Sequence, residues 1–265
     1  MSRLRAAGCV FAEDEARLLM SAAGTSAELD AMVSRRAAGE PLEQVIGWAE
    51  FCGLRITVAP GVFVPRRRTE FLVRQATVLL WGGETLIPPR PPRGAMATPG
   101  AVIVDLCCGA GAIGAALAAA VAGAEVHAAD VDPAAVRCAR QNLPAGRVYE
   151  GDLYGPLPAG LRGRVQVLTA NVPYVPTGEI RYLPPEARVH EPSAALDGGQ
   201  DGLDVLRRVA AGALAWLAPG GHLLSETSER QAPLAEGVLA AAGLTARVVS
   251  SDDLGATVVI GQRPR

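Results

Sequence analysis

A chain of 265 residues, 49% hydrophobic and 20% charged, fits one large globular domain with a small appendage. Its formal net charge of −2 gives the molecule no overall electrostatic attraction to nucleic acid, so we expect no stable nucleic-acid binding. The first twenty residues lack the apolar segment of a signal peptide, and no window is long enough for a membrane span, so we expect a cytoplasmic protein.

The first hundred residues divide into three predicted regions. Residues 1–50 form a small helical region, because apolar residues have helical spacing over 10–38 and Pro41 opens a short third helix. Residues 51–81 form a hairpin and a connecting helix. Its strand at 54–58 is predicted to pair near 62–64. Five prolines and four glycines in residues 82–100 predict a loop.

From residue 101 to residue 265, short apolar runs alternate with helical segments, which predicts a doubly wound α/β domain. The predicted strands are 102–106, 125–129, 147–150, 165–170, 222–226, 246–249 and 257–261. The predicted helices are 112–122, 133–142, 202–217 and 230–242. The last two strands form a hairpin-like pair, which places one antiparallel strand in an otherwise parallel sheet of seven strands.

A glycine-rich turn joins the first strand of this domain to its first helix. Glycines at positions 109, 111 and 114 let the backbone approach a ligand and let the helix pack on the sheet. The same spacing marks nicotinamide dinucleotide sites and ordinary turns, so alone it does not decide the ligand. We expect Cys107, Gly109 and Gly111 to contact a cofactor, and we assign no chemistry to the thiols.

Acidic residues at the ends of three successive strands decide between these ligands. Asp105 would repel a pyrophosphate and suits the cationic methionine end of S-adenosylmethionine. Asp130 can accept hydrogen bonds from ribose hydroxyls. Asp152 can accept one from the adenine amino group while Leu153 covers the ring. We therefore predict S-adenosyl-L-methionine as the cofactor and S-adenosyl-L-homocysteine as the product.

The strand at 165–170 ends in the segment Asn171-Val172-Pro173-Tyr174, called the tetrad below, which we predict to be the catalytic site. The Asn171 side-chain oxygen, also expected beside the cofactor, and the Val172 carbonyl can hold both hydrogens of an –NH2 group and aim its nitrogen at the methyl. Pro173 makes the turn rigid, and Tyr174 can stack on a planar group. The predicted acceptor is a planar amide or amino nitrogen.

Further short motifs extend from about Arg36 to the C-terminus. They are Gly39-Glu40-Pro41-Leu42, Glu50-Phe51-Cys52-Gly53-Leu54, Val64-Pro65-Arg66, Glu191-Pro192 and the segment Leu196 to Leu203. With the glycine-rich turn and the tetrad, they make the sequence resemble the HemK/PrmC-type protein-(glutamine-N5) methyltransferases, which modify the Gly-Gly-Gln glutamine of peptide chain release factors. The resemblance implies a class I, Rossmann-like methyltransferase fold and an N-methyltransferase whose partner is a protein substrate.

By this resemblance, Phe51, Pro65 and Arg66 line the acceptor pocket, and Glu191 and Pro192 border it. The sequence departs from the family at Val172, where the family usually has proline, and in its short N-terminal helical region. Residues 82–100 are also an unusual insertion. These departures leave the identity of the protein acceptor open.

Two alternatives remain. The same chemistry could serve the amino group of adenine in nucleic acid or a small-molecule amine. Arginines at 66, 67, 68 and 74 could form a local basic patch for a nucleic acid. The second alternative is a non-catalytic cofactor-binding paralogue. The five cysteines and three histidines have no metal-ligand spacing, so we predict no metal.

Overall fold

The computed structural model describes residues 1–82, 100–143 and 147–265, so most of the predicted 82–100 loop lies outside the described residues. The chain begins with four helices: α1 (Ser2–Ala6), α2 (Ala12–Ala22), α3 (Ser26–Ala37) and α4 (Leu42–Ile46). Leu4, Leu19 and Val45 are buried in a small core of their own. Thr25 and Glu28 form a capping box that fixes the start of α3. Helix α1 was not predicted.

A two-stranded hairpin follows, formed by β1 (Trp48–Phe51) and β2 (Leu54–Thr57). The prediction that the 54–58 strand pairs near 62–64 is wrong, because its partner precedes it. Cys52 and Gly53 both have positive φ, 51° and 73°, which is the geometry of a tight two-residue hairpin turn. Strand β1 crosses the predicted boundary at residue 50.

The large domain is built on a sheet with the order β5-β4-β3-β6-β7-β9-β8. Its strands are β3 (Val102–Leu106), β4 (Glu125–Asp130), β5 (Arg147–Glu150), β6 (Val165–Ala170), β7 (Leu217–Thr227), β8 (Thr245–Ser251) and β9 (Ala256–Gln262). Strand β9 runs antiparallel to both of its neighbours, whereas the other pairings in the sheet are parallel. The predicted seven-stranded, doubly wound sheet with one antiparallel strand is confirmed.

Helices cover both faces of this sheet. They are α5 (Glu70–Leu80), α6 (Ala112–Ala120), α7 (Pro133–Asn142), α9 (Asp204–Trp216) and α10 (Ala232–Ala241), while the short helix α8 (Pro185–His190) lies in the connection from β6 to α9. One core packs α5, α6, α7 and the hairpin against the sheet, and a second core packs α9 and α10. All five residues of β3 are buried, as expected for a central parallel strand. Among the described residues, none of the helices combines the length and apolar character that a membrane span requires.

Candidate functional site

A cavity of about 840 Å³ opens at the carboxyl ends of the parallel strands, where ligands bind in sheets of this kind. Fourteen of the predicted site residues line it: Phe51, Pro65, Arg66, Cys107, Gly109, Asp130, Asp152, Leu153, Asn171, Val172, Pro173, Tyr174, Glu191 and Pro192. Asp105 and Gly111 are not part of its lining. The fold therefore brings residues from seven separate parts of the sequence to one cavity.

Gly111 supports the glycine-rich loop from behind. Its φ is +78°, and a Cβ at this position would lie 3.0 Å from the Cβ of Ala139 in α7. Any side chain would push the loop away from this helix, so Gly111 serves helix packing in the structure. On the cavity side, Cys107 also has a positive φ of 54°.

Asp105 lies beneath the same loop and has no exposed surface. Its Oδ1 accepts a hydrogen bond of 2.9 Å from the Thr169 hydroxyl, and its Oδ2 accepts one of 3.1 Å from the Gly114 amide. Burial raises the pKa of Asp105 to about 7, because a charged carboxylate is disfavoured away from water. This carboxyl group joins β3 to β6 and to the start of α6.

The other two acidic residues lie at the cavity surface. The Asp130 carboxylate accepts hydrogen bonds from the amides of Gly109 (2.8 Å) and Asp132 (2.9 Å), which ties the glycine-rich loop to the end of β4. Burial raises the pKa of Asp130. Asp152 forms an ion pair with Arg208 of α9, a cavity residue that the sequence motifs did not indicate.

Asn171 immediately follows β6, and its Oδ1 atom is buried. That oxygen has no hydrogen-bond partner within the described ranges 1–82, 100–143 and 147–265. A buried acceptor without a donor costs about 1–3 kcal/mol, so such atoms are uncommon unless a ligand or water supplies the donor. Val172 is 3% exposed and packs into the core beside α9.

The segment Leu196 to Leu203 holds the backbone of the tetrad in place. Gly202 has a φ of +79°, and a Cβ there would lie 2.3 Å from the Tyr174 carbonyl oxygen. At Gly198, a Cβ would lie 2.6 Å from the Pro173 carbonyl oxygen. The Gln231 side chain donates a 2.9 Å hydrogen bond to the Tyr174 carbonyl. These glycines therefore allow a close backbone approach that fixes the end of the tetrad.

The Tyr174 hydroxyl lies in a hydrogen-bonded network, called the Glu226 network below, with Arg68, Thr69 and Glu226. It donates to Glu226 Oε1 at 2.8 Å and accepts from Arg68 Nη2 at 2.6 Å. Burial raises the pKa of Tyr174, so its hydroxyl stays neutral at neutral pH. The motifs did not point to Glu226, although it is an acidic residue near the carboxyl end of a strand, like the acids that were identified.

Glu191 closes the opposite side of the cavity. Its side chain is fully buried, and its carboxylate accepts hydrogen bonds from the Val64 amide (3.1 Å) and from Arg66 Nη2 (2.5 Å). Burial raises the pKa of Glu191. The Arg66 guanidinium carbon lies 4.7 Å from the centre of the Phe63 ring. Arg66 is therefore positioned by a carboxylate and an aromatic ring at once.

The chain is similar to several known proteins. Residues 94–177 match the family described as Methyltransferase small domain. Over 236 residues the chain is 36% identical to a release factor glutamine methyltransferase of Geobacter sulfurreducens, an alignment that covers 88% of this chain and 76% of that protein. The chain belongs to the release factor glutamine methyltransferase family. This membership confirms the predicted family and the predicted enzyme class, an S-adenosylmethionine-dependent methyltransferase.

Two further similarities widen this comparison. The 4-amino-L-phenylalanine/4-methylamino-L-phenylalanine methyltransferase of Streptomyces pristinaespiralis is 39% identical over 201 residues, which cover 75% of this chain and 65% of that protein. A ribosomal protein L11 methylase of Lactobacillus delbrueckii subsp. bulgaricus has a similar structure, with a TM-score of 0.50, 14% identity, and coverage of 76% of this chain and 81% of that one. This second similarity concerns the fold alone.

Proposed function

We propose that the chain methylates the side-chain amide nitrogen of a glutamine in a protein, with the Gly-Gly-Gln glutamine of a peptide chain release factor as the first candidate. The observation that carries the proposal is the buried Asn171 Oδ1 atom, which lacks a donor among the described residues and belongs to a residue that lines the cavity. A primary amide supplies N–H donors of the kind that this oxygen needs. The names of the quoted Geobacter relative and of further family members support the same acceptor.

The cofactor residues fit the proposed S-adenosylmethionine. Asn171, Asp130 and Asp152 line the cavity, and so does Cys107, which has a positive φ of 54°. We assign the ribose hydroxyls to Asp130, the adenine to Asp152 and Leu153, and the loop contacts to Cys107 and Gly109. When bound, S-adenosylmethionine supplies a methyl carbon made electrophilic by a positively charged sulfur.

The residues of the chain then act mainly by orientation. Asn171 Oδ1 accepts one amide N–H of the glutamine, and the Val172 carbonyl accepts the other. Both contacts favour the pyramidal, more nucleophilic nitrogen over the planar amide and hold it in one direction. Tyr174 provides a flat surface for the amide plane. The nitrogen proton is lost to water, and we assign no residue as a general base.

The remaining predicted residues form the acceptor side of the cavity. Phe51 and Pro65 supply apolar walls, and Arg66, held by Glu191, supplies hydrogen-bond donors for acceptor carbonyl groups. Pro192 follows Glu191 at this border. The helical region at residues 1–50 is proposed to take part in recognition of the protein substrate.

The test is methyl transfer from radiolabelled S-adenosylmethionine to a purified release factor. The wild-type protein should label the release factor, and Asn171→Ala should lower the rate by about 10²-fold, as expected for loss of one transition-state contact. Gln141→Ala is the matched control, because Gln141 is an exposed amide residue on α7, outside the cavity lining. Absence of label with the wild-type protein, while S-adenosylhomocysteine binds in calorimetry, would contradict the proposed acceptor.

A second candidate acceptor is the aromatic amine of a free amino acid. The 39% identity to the Streptomyces pristinaespiralis methyltransferase favours it, together with the Phe51 and Phe63 rings in the cavity wall. The same assay with 4-amino-L-phenylalanine separates the two candidates. Label on this amine and none on the release factor would replace the first proposal with the second.

A further inference from the structure

Glu226 lies one residue before the end of β7 and is 3% exposed, yet none of the sequence motifs includes it. Its carboxylate accepts three hydrogen bonds from side chains. Oε1 accepts from Arg68 Nε at 2.8 Å and from the Tyr174 hydroxyl at 2.8 Å, and Oε2 accepts from the Thr69 hydroxyl at 2.6 Å. A buried carboxylate with this many donors is held in one orientation.

The three donors come from two distant parts of the sequence. Arg68 and Thr69 immediately precede α5 and closely follow the Val64-Pro65-Arg66 segment that forms the acceptor side of the cavity. Tyr174 ends the tetrad. All three donor residues line the cavity, whereas Glu226 does not. Glu226 therefore connects the acceptor side of the cavity to the tetrad without touching a bound substrate.

The network also fixes the direction of the Tyr174 ring. Its hydroxyl accepts from Arg68 at 2.6 Å and donates to Glu226, so both its donor and its acceptor sites are engaged. The Arg68 guanidinium carbon lies 5.9 Å from the centre of the Tyr174 ring, which is within cation–π range. Removing the carboxylate leaves Arg68 and Tyr174 without the group that holds them together.

We propose that Glu226 is a positioning residue for methyl transfer. Through its hydrogen bonds to Arg68 and Tyr174, it fixes the position of the acceptor side of the cavity relative to the tetrad. This inference rests on the proposed function, since Tyr174 is the surface on which the acceptor amide lies. By this inference, the buried carboxylate of Glu226 controls the geometry of the acceptor and does not affect cofactor binding. Glu226 is distant in sequence from the motifs named above.

The kinetic test compares Glu226→Gln and Tyr174→Phe with the wild type. We expect Glu226→Gln to lower kcat at least tenfold and to change the dissociation constant of S-adenosylhomocysteine, measured by calorimetry, less than twofold. The kcat of the double variant should be only slightly lower than that of Glu226→Gln alone, because the two coupled residues act on the same geometry. Leu239→Val is the control for stability, since Leu239 is a fully buried residue of α10 and lies outside the cavity lining. It should lower Tm without lowering kcat.

A second readout does not depend on the acceptor. The Thr69 amide donates to the Arg66 carbonyl and the Val175 amide to the Leu196 carbonyl, so both are protected on the two sides of the network. In Glu226→Gln, hydrogen exchange should accelerate at these two amides and stay unchanged at the Gly114 amide in the first turn of α6, which donates to Asp105.

The two readouts separate the two proposals. If the wild type labels no release factor but exchange changes at Thr69 and Val175 alone, the proposed acceptor fails and the positioning role stands. If exchange is unchanged at both amides, the positioning role is overturned. It is also overturned if Glu226→Gln weakens cofactor binding as much as it lowers kcat, because that is the pattern of general destabilisation.

Discussion

Replacing Asp105 by asparagine should stabilise the protein at pH 8. The Asp105 carboxyl is fully buried, with hydrogen bonds from only Thr169 and Gly114 among the described residues. Asparagine has the same shape. Its amide oxygen can accept from the Gly114 amide, and its NH2 group can donate to the Thr169 hydroxyl. The substitution therefore removes a charge without leaving a polar atom unpaired.

The magnitude follows from the pKa of Asp105, which burial raises from 3.8 to about 7. Between these values the unfolded chain loses its proton while the folded chain keeps it, so the free energy of unfolding falls as pH rises. The full penalty, about 4 kcal/mol, is reached above pH 7, because each pKa unit corresponds to about 1.4 kcal/mol. Of this penalty, about 3 kcal/mol develops between pH 5 and pH 8.

The assay is urea unfolding of the wild type and Asp105→Asn at pH 5 and pH 8. The advantage of the variant should grow by about 3 kcal/mol over this range. Asp253→Asn, an exposed carboxylate changed in the same way, should show no such growth. An advantage that is constant with pH, or a variant less stable than the wild type at pH 8, would refute the reasoning. It would show that the folded protein holds Asp105 ionised.

Two further substitutions test the packing around the cavity. Gly202→Ala should lower the free energy of unfolding by about 2–4 kcal/mol, the sum of the cost of a left-handed backbone and of a clash with the Tyr174 carbonyl. Gly163 has a φ of +70° and open space around it, so Gly163→Ala should lose only the backbone part. Urea unfolding measures both, and equal losses would remove the clash from the explanation. Arg36→Met should cost about 3–5 kcal/mol in the same assay, because it leaves the buried carboxylate of Glu15 unpaired. Adding Glu15→Leu should recover most of that loss, and no recovery would contradict the pairing.

The fold was largely predictable from the sequence, and the reasons are visible in particular elements. Strand β3 and helix α7 were predicted with the bounds that the structure has, because a short run that is apolar except for Asp105 and an Asp-Pro cap are strong local signals. The hairpin partner was missed because the Cys52-Gly53 turn depends on a positive φ at cysteine, which no local pattern indicates.

The residues of the candidate site could be predicted only where they belong to a recognisable sequence motif. The tetrad and the glycine-rich turn are continuous in sequence, and the structure brings both to the cavity. Glu226 was missed because its partners Arg68 and Tyr174 are distant in sequence, and only the folded chain joins them. The burial of Asp105 also depends on β6 and α6 packing over it. The roles assigned to the site residues remain predictions.

The most direct test of the central claim is mass-spectrometric mapping of a release factor incubated with the wild-type protein and S-adenosylmethionine. We predict a single added methyl group on the glutamine of the Gly-Gly-Gln motif, and none after incubation with Asn171→Ala. A methyl group on any other residue, or an unmodified release factor beside a methylated small amine, would contradict the claim.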